Sequence, residues 1–258
     1  MPTVEELVKQ LSSDDKVQVY KGRMALTKLE DEAGAPGREA DRKQLAANLA
    51  RLIDETHDVP DPKKPKEKPK KEPKHSVAVR NRLIRGLATV GGDAEIATLK
   101  RALEDFEVRE MARWSLDRMT VASATQALAD AATKSVGTEF RVGAINALGR
   151  KPSSPVVVDA LNACLDDRDG EVRLAAIEAL SNHVDGSQDE VLVAAAKKFA
   201  KKRSRGATRL ARARVRMAER LAQSGQQEAA RKIYRSLAAD GVDSAQKQAA
   251  EKALKRPG

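Results

Sequence analysis

Aromatic residues are scarce in this chain: one tryptophan, two tyrosines and three phenylalanines among 258 residues, 2% in all. Alanine and leucine must fill the core instead, a composition suited to closely packed helices rather than sheets. Sustained alternation of β-branched and polar residues is missing as well, which argues against strands. The expected class is all-α. A single cysteine, Cys164, excludes an intramolecular disulfide and a cysteine-based zinc site. It falls at an apolar position of VVVDALNACL and reads as a small core residue. Apolar runs such as VLVAAA (Val191–Ala196) fall far short of the roughly 18 residues that span a bilayer. The opening, MPTVEELVKQL, has acids where a secretory leader would have bases. A soluble, cytoplasmic protein is the expectation. His57, His75 and His183 are scattered, none lies four residues from another histidine, a cysteine or a glutamate, and no glycine-rich phosphate loop occurs. No cofactor, metal site, catalytic residue or small-molecule substrate is therefore expected. His183 reads as a helix C-terminal cap.

The charge that is present is uneven. Net charge is +10 for the chain, yet KKPKEKPKKEPK (Lys63–Lys74) carries +5 and Lys197–Arg220 carries +10, leaving the remainder at −5. Basicity belongs to two segments rather than to the fold.

A repeat dominates the rest. VRNRLIRGL (Val79–Leu87), VREMARWSL (Val108–Leu116), FRVGAINAL (Phe140–Leu148) and VRLAAIEAL (Val172–Leu180) start 29, 32 and 32 residues apart. Each has an apolar first residue, arginine second, Leu or Ala fifth and Leu ninth. Positions one, five and nine share a helix face, and small residues between them allow close helix approach. Another amphipathic stretch precedes most copies (EIATLKRAL, ATQALADAA, VVVDALNACL), and Gly or Pro separates the units. Each unit thus reads as an antiparallel helix pair, and recurrence at this period means stacked pairs.

These residues, DGEVRLAAIEAL (Asp169–Leu180) above all, resemble the HEAT-repeat family in its short, roughly thirty-residue form. The resemblance covers about Ser76 to Asn182. It implies a superhelix whose two helices per repeat line opposite faces. It also implies that the second-position arginines pair with acids between adjacent repeats, with Asp105, Glu139 and Asp169 placed to serve Arg109, Arg141 and Arg173. GQQEAARKIYRSL (Gly225–Leu237) weakly resembles half of a tetratricopeptide unit at Gly225, Ala230, Tyr234 and Leu237.

The expected architecture is an α-solenoid of about seven hairpins, HEAT/armadillo-like. Residues 1–59 form N-terminal hairpins (Val4–Leu11 with Asp15–Glu30, then Glu39–Glu55). Residues 60–75 form a disordered Lys/Pro-rich insertion, an enlarged turn inside a hairpin or else an interdomain linker, able to extend on the order of 40 Å as polyproline II. Residues 76–258 form HEAT-like repeats, with Gln188–Lys202 and Gly206–Gln223 paired and a C-terminal hairpin.

Two basic elements are the candidate binding residues. Arg205, Arg209, Arg212, Arg216 and Arg220 fall within an arc of roughly 80° on one helix, beside an apolar face of Leu210, Ala213, Met217 and Leu221. Lys197, Lys198, Lys201, Lys202 and Arg203 precede them. The second element is Lys63, Lys64, Lys66, Lys68, Lys70, Lys71 and Lys74. A solvated helix face ordinarily mixes both signs, whereas Lys197–Arg220 has eleven bases and Glu219 alone. The leading reading is a non-catalytic scaffold that binds a protein partner with an acidic segment. The alternative is nucleic acid held through its phosphates without sequence readout. An enzyme on a HEAT-like frame is disfavoured. A DNA glycosylase of that kind would have only Trp114, with Asp117, to offer a displaced base, and a bilin lyase has no motif to test. Trp114 reads as filling space between repeats.

Overall fold

The computed structural model describes residues 2–60, 68–183, 189–190, 205–239 and 244–255, with the backbone alone for Arg205 and Ser244. Among these are thirteen α-helices and one two-stranded ribbon. The chain is all-α in class, built of antiparallel helix pairs stacked as in armadillo-like α-solenoids. It divides into two compact units, Met1–Ala127 and Leu128–Gly258.

The first unit contains α1 (Val4–Leu11), α2 (Lys16–Gly34), α3 (Glu39–Ile53), α4 (Val77–Val90), α5 (Ile96–Glu104) and α6 (Arg109–Arg118). Helix starts follow from local chemistry. Thr3 and Glu6 form a reciprocal capping box on α1, Asp15 caps α2 through the Val17 N–H, and Ser76 caps α4 through the Val79 N–H. Helix α2 packs on α1, α3 and α4, while α4 packs on α3 and α6. The division falls inside α7 (Ala122–Lys134), after Ala127.

The second unit continues with α8 (Thr138–Leu148), α9 (Pro155–Leu165), α10 (Gly170–Leu180), α11 (Arg205–Gln223), α12 (Gln227–Ala239) and α13 (Ser244–Leu254). Pro155 opens α9 behind the Ser154 cap, and Asp169 caps α10. Helix α10 packs on α8, α9 and α11; α12 packs on α11 and α13. Of the expected helix Gln188–Lys202, all but Asp189 and Glu190 lies outside the described residues.

The repeat phase translates directly into burial. Val79, Leu83 and Leu87, then Val108, Ala112 and Leu116, Phe140, Ala144 and Leu148, and Val172, Ala176 and Leu180 are each at most 1% exposed. Gly149 permits a close approach here, since a Cβ on it would meet that of Ala179 at 3.1 Å. Two of the second-position arginines, Arg80 and Arg141, take their acids from the following repeat. Arg80 donates to Asp105 (2.5 Å) and Glu107 (3.2 Å), and Arg141 to Asp167. Asp105 and Asp167 each also accept the backbone N–H two residues ahead, at Glu107 and Asp169. One carboxylate thereby shapes the inter-helix turn and clamps the preceding repeat. Arg173 instead donates to the Asp167 and Arg168 carbonyls, and Arg109 lies over the Phe106 ring. For Arg141 the acid is thus Asp167 of the following repeat rather than the expected Glu139.

Two residues at the end of α10 lock repeats together. Asn182 Nδ2 donates to the Gly149 carbonyl, and buried His183 donates from Nε2 to the Leu148 carbonyl. His183 thus caps the preceding repeat's helix rather than its own. Burial holds its pKa below the usual imidazole range, which keeps the ring neutral.

The Lys/Pro tract has a structured base. Thr56–Val59 (β1) pairs antiparallel with Lys70–Pro73 (β2), and Lys74 N–H donates to the Glu55 carbonyl. Helix α3 packs directly on α4, and the ribbon lies between them in sequence; the rest of the tract, residues 61–67, lies outside the described residues. The ends of two packed helices bring the flanking backbone into pairing register, so a ribbon forms without any apolar alternation in its sequence.

Candidate partner-binding surfaces

Helix α11 owes its placement to an apolar face: Leu210, Ala213, Met217 and Leu221 are all buried. The arginines behave in three different ways. Arg209 turns back onto α10, donating from Nε and Nη2 to both oxygens of Glu178 (2.7 and 2.9 Å) and from Nη1 to Glu171 (3.3 Å). The hydrogen bond it donates to Glu178 leads in raising its pKa above the usual guanidinium value. Arg214, absent from the expected stripe, is 3% exposed. It donates to both oxygens of Asp189 (2.7 and 3.2 Å) and to Ser236. Its place on the helix, next to Leu210 and Leu221 in angle, is the sequence signal for that burial. Arg212, Arg216 and Arg220 remain exposed at i, i+4 and i+8. Arg220 reaches the Asn182 carbonyl (3.1 Å) and Arg216 the Ser181 hydroxyl (3.4 Å), beside the negative end of the α10 dipole.

The outward stripe is therefore shorter than five, because the missing counter-charges sit on the neighbouring helix. Glu219, exposed on α11, flanks what is left. Lys197, Lys198, Lys201, Lys202, Arg203 and the Arg205 side chain lie outside the described residues, as do Lys63, Lys64 and Lys66. Lys68, Lys70 and Lys71 are exposed at the ribbon. Lys74 pairs with Glu55 at 3.0 Å, and His75 shares the same carboxylate at 3.1 Å. The hydrogen bond from Lys74 leads in holding the Glu55 pKa below the usual carboxylate range.

A second basic surface, not expected from sequence, lies in the first unit. Helices α2, α4 and α6 run side by side and leave a groove of about 540 Å³ lined by Arg23, Arg82, Arg85, Trp114 and Arg118, among others. Trp114 is half-buried rather than core, with the guanidiniums of Arg85 and Arg118 at 5.4 and 4.7 Å from its ring centre. At the groove floor Arg82 donates to both oxygens of buried Glu30, at 2.6 and 3.0 Å. Burial raises the Glu30 pKa and outweighs Arg82, so it ends above the usual carboxylate range. Gly86 creates the space for that carboxylate, since a Cβ there would lie 2.3 Å from Glu30 Oε1. Cys164 belongs to the core, where burial pushes its thiol up to about 11. Among the described residues, no three His, Cys, Asp or Glu side chains are grouped to hold a metal, and no helix is long and apolar enough to cross a membrane.

No protein-family model matches the chain, and no curated protein matches it in sequence. Solved structures give distant likenesses. YibA of Escherichia coli shares 15% identity at a TM-score of 0.49, over 99% of this chain and 93% of that one. The CpcE–CpcF complex of the phycocyanin lyase from Nostoc shares 16% at 0.39, over 98% and 94%. Computationally designed armadillo repeat proteins for modular peptide recognition share 17% at 0.37, over 98% and 100%. Likenesses at this distance assign no activity.

Proposed function

We propose that this helical-repeat protein is a non-catalytic scaffold or adaptor that binds a protein partner through an acidic segment. The observation that carries the reading is the trio Arg212, Arg216 and Arg220, exposed one turn apart on α11 while the neighbouring Arg209 and Arg214 are consumed by internal carboxylates. Successive members stand about 6 Å apart along the axis, a spacing that carboxylates one turn apart on an acidic helix can match. Glu219, Glu178 and Glu171 border the same surface. A short acidic segment can place its carboxylates on the arginines and avoid those acids. Duplex nucleic acid, with a charge every ~1.7 Å of axis, runs phosphates past them.

The test is an anisotropy titration of a labelled Glu-rich peptide, a short duplex DNA and a single-stranded RNA at several salt concentrations. The variant R212E/R216E/R220E serves as comparison. Tighter binding of the peptide at physiological salt, weakened at least about tenfold in the variant, is expected from the loss of charge-assisted hydrogen bonds. Tighter binding of either nucleic acid, with a steep salt slope lost in the variant, replaces the protein partner with a polyanion.

A further inference from the structure

We infer that the α2–α4–α6 groove is a separate docking site for an extended acidic peptide, with Arg85 and Arg118 as its carboxylate receptors and the face of Trp114 as their mount. The inference goes beyond the α11 surface and stands on its own residues.

Charge complementarity comes first. Arg23, Arg82, Arg85 and Arg118 line the groove against only Glu30 and Asp31. Glu30 is already committed to Arg82, so three arginines face the opening against one acid. Among the described residues neither Arg85 nor Arg118 makes a salt bridge; each lies against the indole instead. A guanidinium stacked on an aromatic face keeps its N–H groups in its own plane, free to donate to a carboxylate in fork geometry. Stacking also limits the rotamer freedom that a long arginine would otherwise lose on binding. Two of the groove's cations are in this way preorganised without being neutralised.

One further observation points to a peptide rather than a free anion. Tyr20 and Met24 are 64% and 53% exposed and share a face of α2 with Thr27 and Asp31, which line the groove. Large apolar side chains this exposed, continuing a basic groove, fit a segment that interleaves apolar and acidic residues.

Trp114 is the sole tryptophan, so its emission reports this groove and nothing else in the chain. The probe is a short fluorescein-labelled peptide of Glu, Leu and Ser, titrated into the full-length protein while tryptophan emission and peptide anisotropy are followed. Expected is a saturating emission change that tracks the anisotropy, with affinity reduced about tenfold or more in R85A/R118A. Both substituted residues are exposed, and far-UV circular dichroism checks that the fold is kept. In R212E/R216E/R220E the Trp114 response should persist, so failure of the α11 reading and failure of this one give different results. Unchanged affinity in folded R85A/R118A, or peptide binding with no Trp114 response, overturns the inference. So does duplex DNA that produces the same emission change at lower concentration than the peptide.

Discussion

Replacing Gly86 with alanine should destabilise the first unit, although alanine is the better helix former. The gain from propensity alone is about 1 kcal/mol. Against it, the new Cβ would lie 2.3 Å from Glu30 Oε1 and 2.9 Å from Leu49 Cδ1. The carboxylate must then leave Arg82, whose two hydrogen bonds to it are the main compensation for burying a residue that is 6% exposed. Breaking a buried ion pair costs about 3–5 kcal/mol, so the net loss should be about 2–4 kcal/mol. Urea unfolding followed by Trp114 emission measures it, because that residue sits in the same unit. Adding Glu30→Ala to Gly86→Ala should cost little more, since the two changes disrupt one interaction. Gly34→Ala is the control: its Cβ would meet nothing nearer than Thr89 Cγ2 at 3.6 Å. A neutral or more stable Gly86→Ala protein would refute the reasoning, showing that Glu30 moves into solvent without loss.

Arg214→Ala should cost about 3–5 kcal/mol by leaving Asp189 buried without its partner, whereas Arg212→Ala should shift stability by no more than about 0.5 kcal/mol; urea midpoints separate the two. Acid should loosen the inter-repeat clamps. At Asp105 and Asp167 burial works to raise the pKa, but the hydrogen bonds from Arg80 and Arg141 and from the turn N–H groups overcome it, and both end below the usual range. Their contribution is therefore complete above about pH 3.9 and is lost as pH falls through the lowered folded-state values. Asp105→Asn with Asp167→Asn should flatten that part of the stability profile, and an unchanged profile would contradict the clamp. Ser115→Ala should cost about 1 kcal/mol through the lost bond from its buried hydroxyl to the Ile84 carbonyl.

Helix pairs were readable because one face of each second helix repeats in a fixed phase, and Val79, Val108, Phe140 and Val172 needed no tertiary information to be placed inside. Side-chain partners were harder. Asp105 serves Arg80 and Asp167 serves Arg141 at separations of 25 and 26 residues, distances set by stacking rather than by any one helix. The same holds for Glu178, which takes Arg209 from the outward stripe. Trp114 read as filler because Arg85, which joins Arg118 of its own helix at the ring, comes from α4. The ribbon at the Lys/Pro tract was missed because its strands, THDV and KKEP, carry no buried residue and depend on the meeting of α3 and α4.

The most direct measurement is a charge exchange on α11. R212E/R216E/R220E and the native protein would each be titrated with a Glu-rich and a Lys-rich peptide of equal length. Expected is an inversion: native protein prefers the Glu-rich peptide, and the variant loses it and gains the Lys-rich one. If both proteins bind both peptides alike, recognition does not pass through these three arginines and the adaptor reading of this surface is wrong.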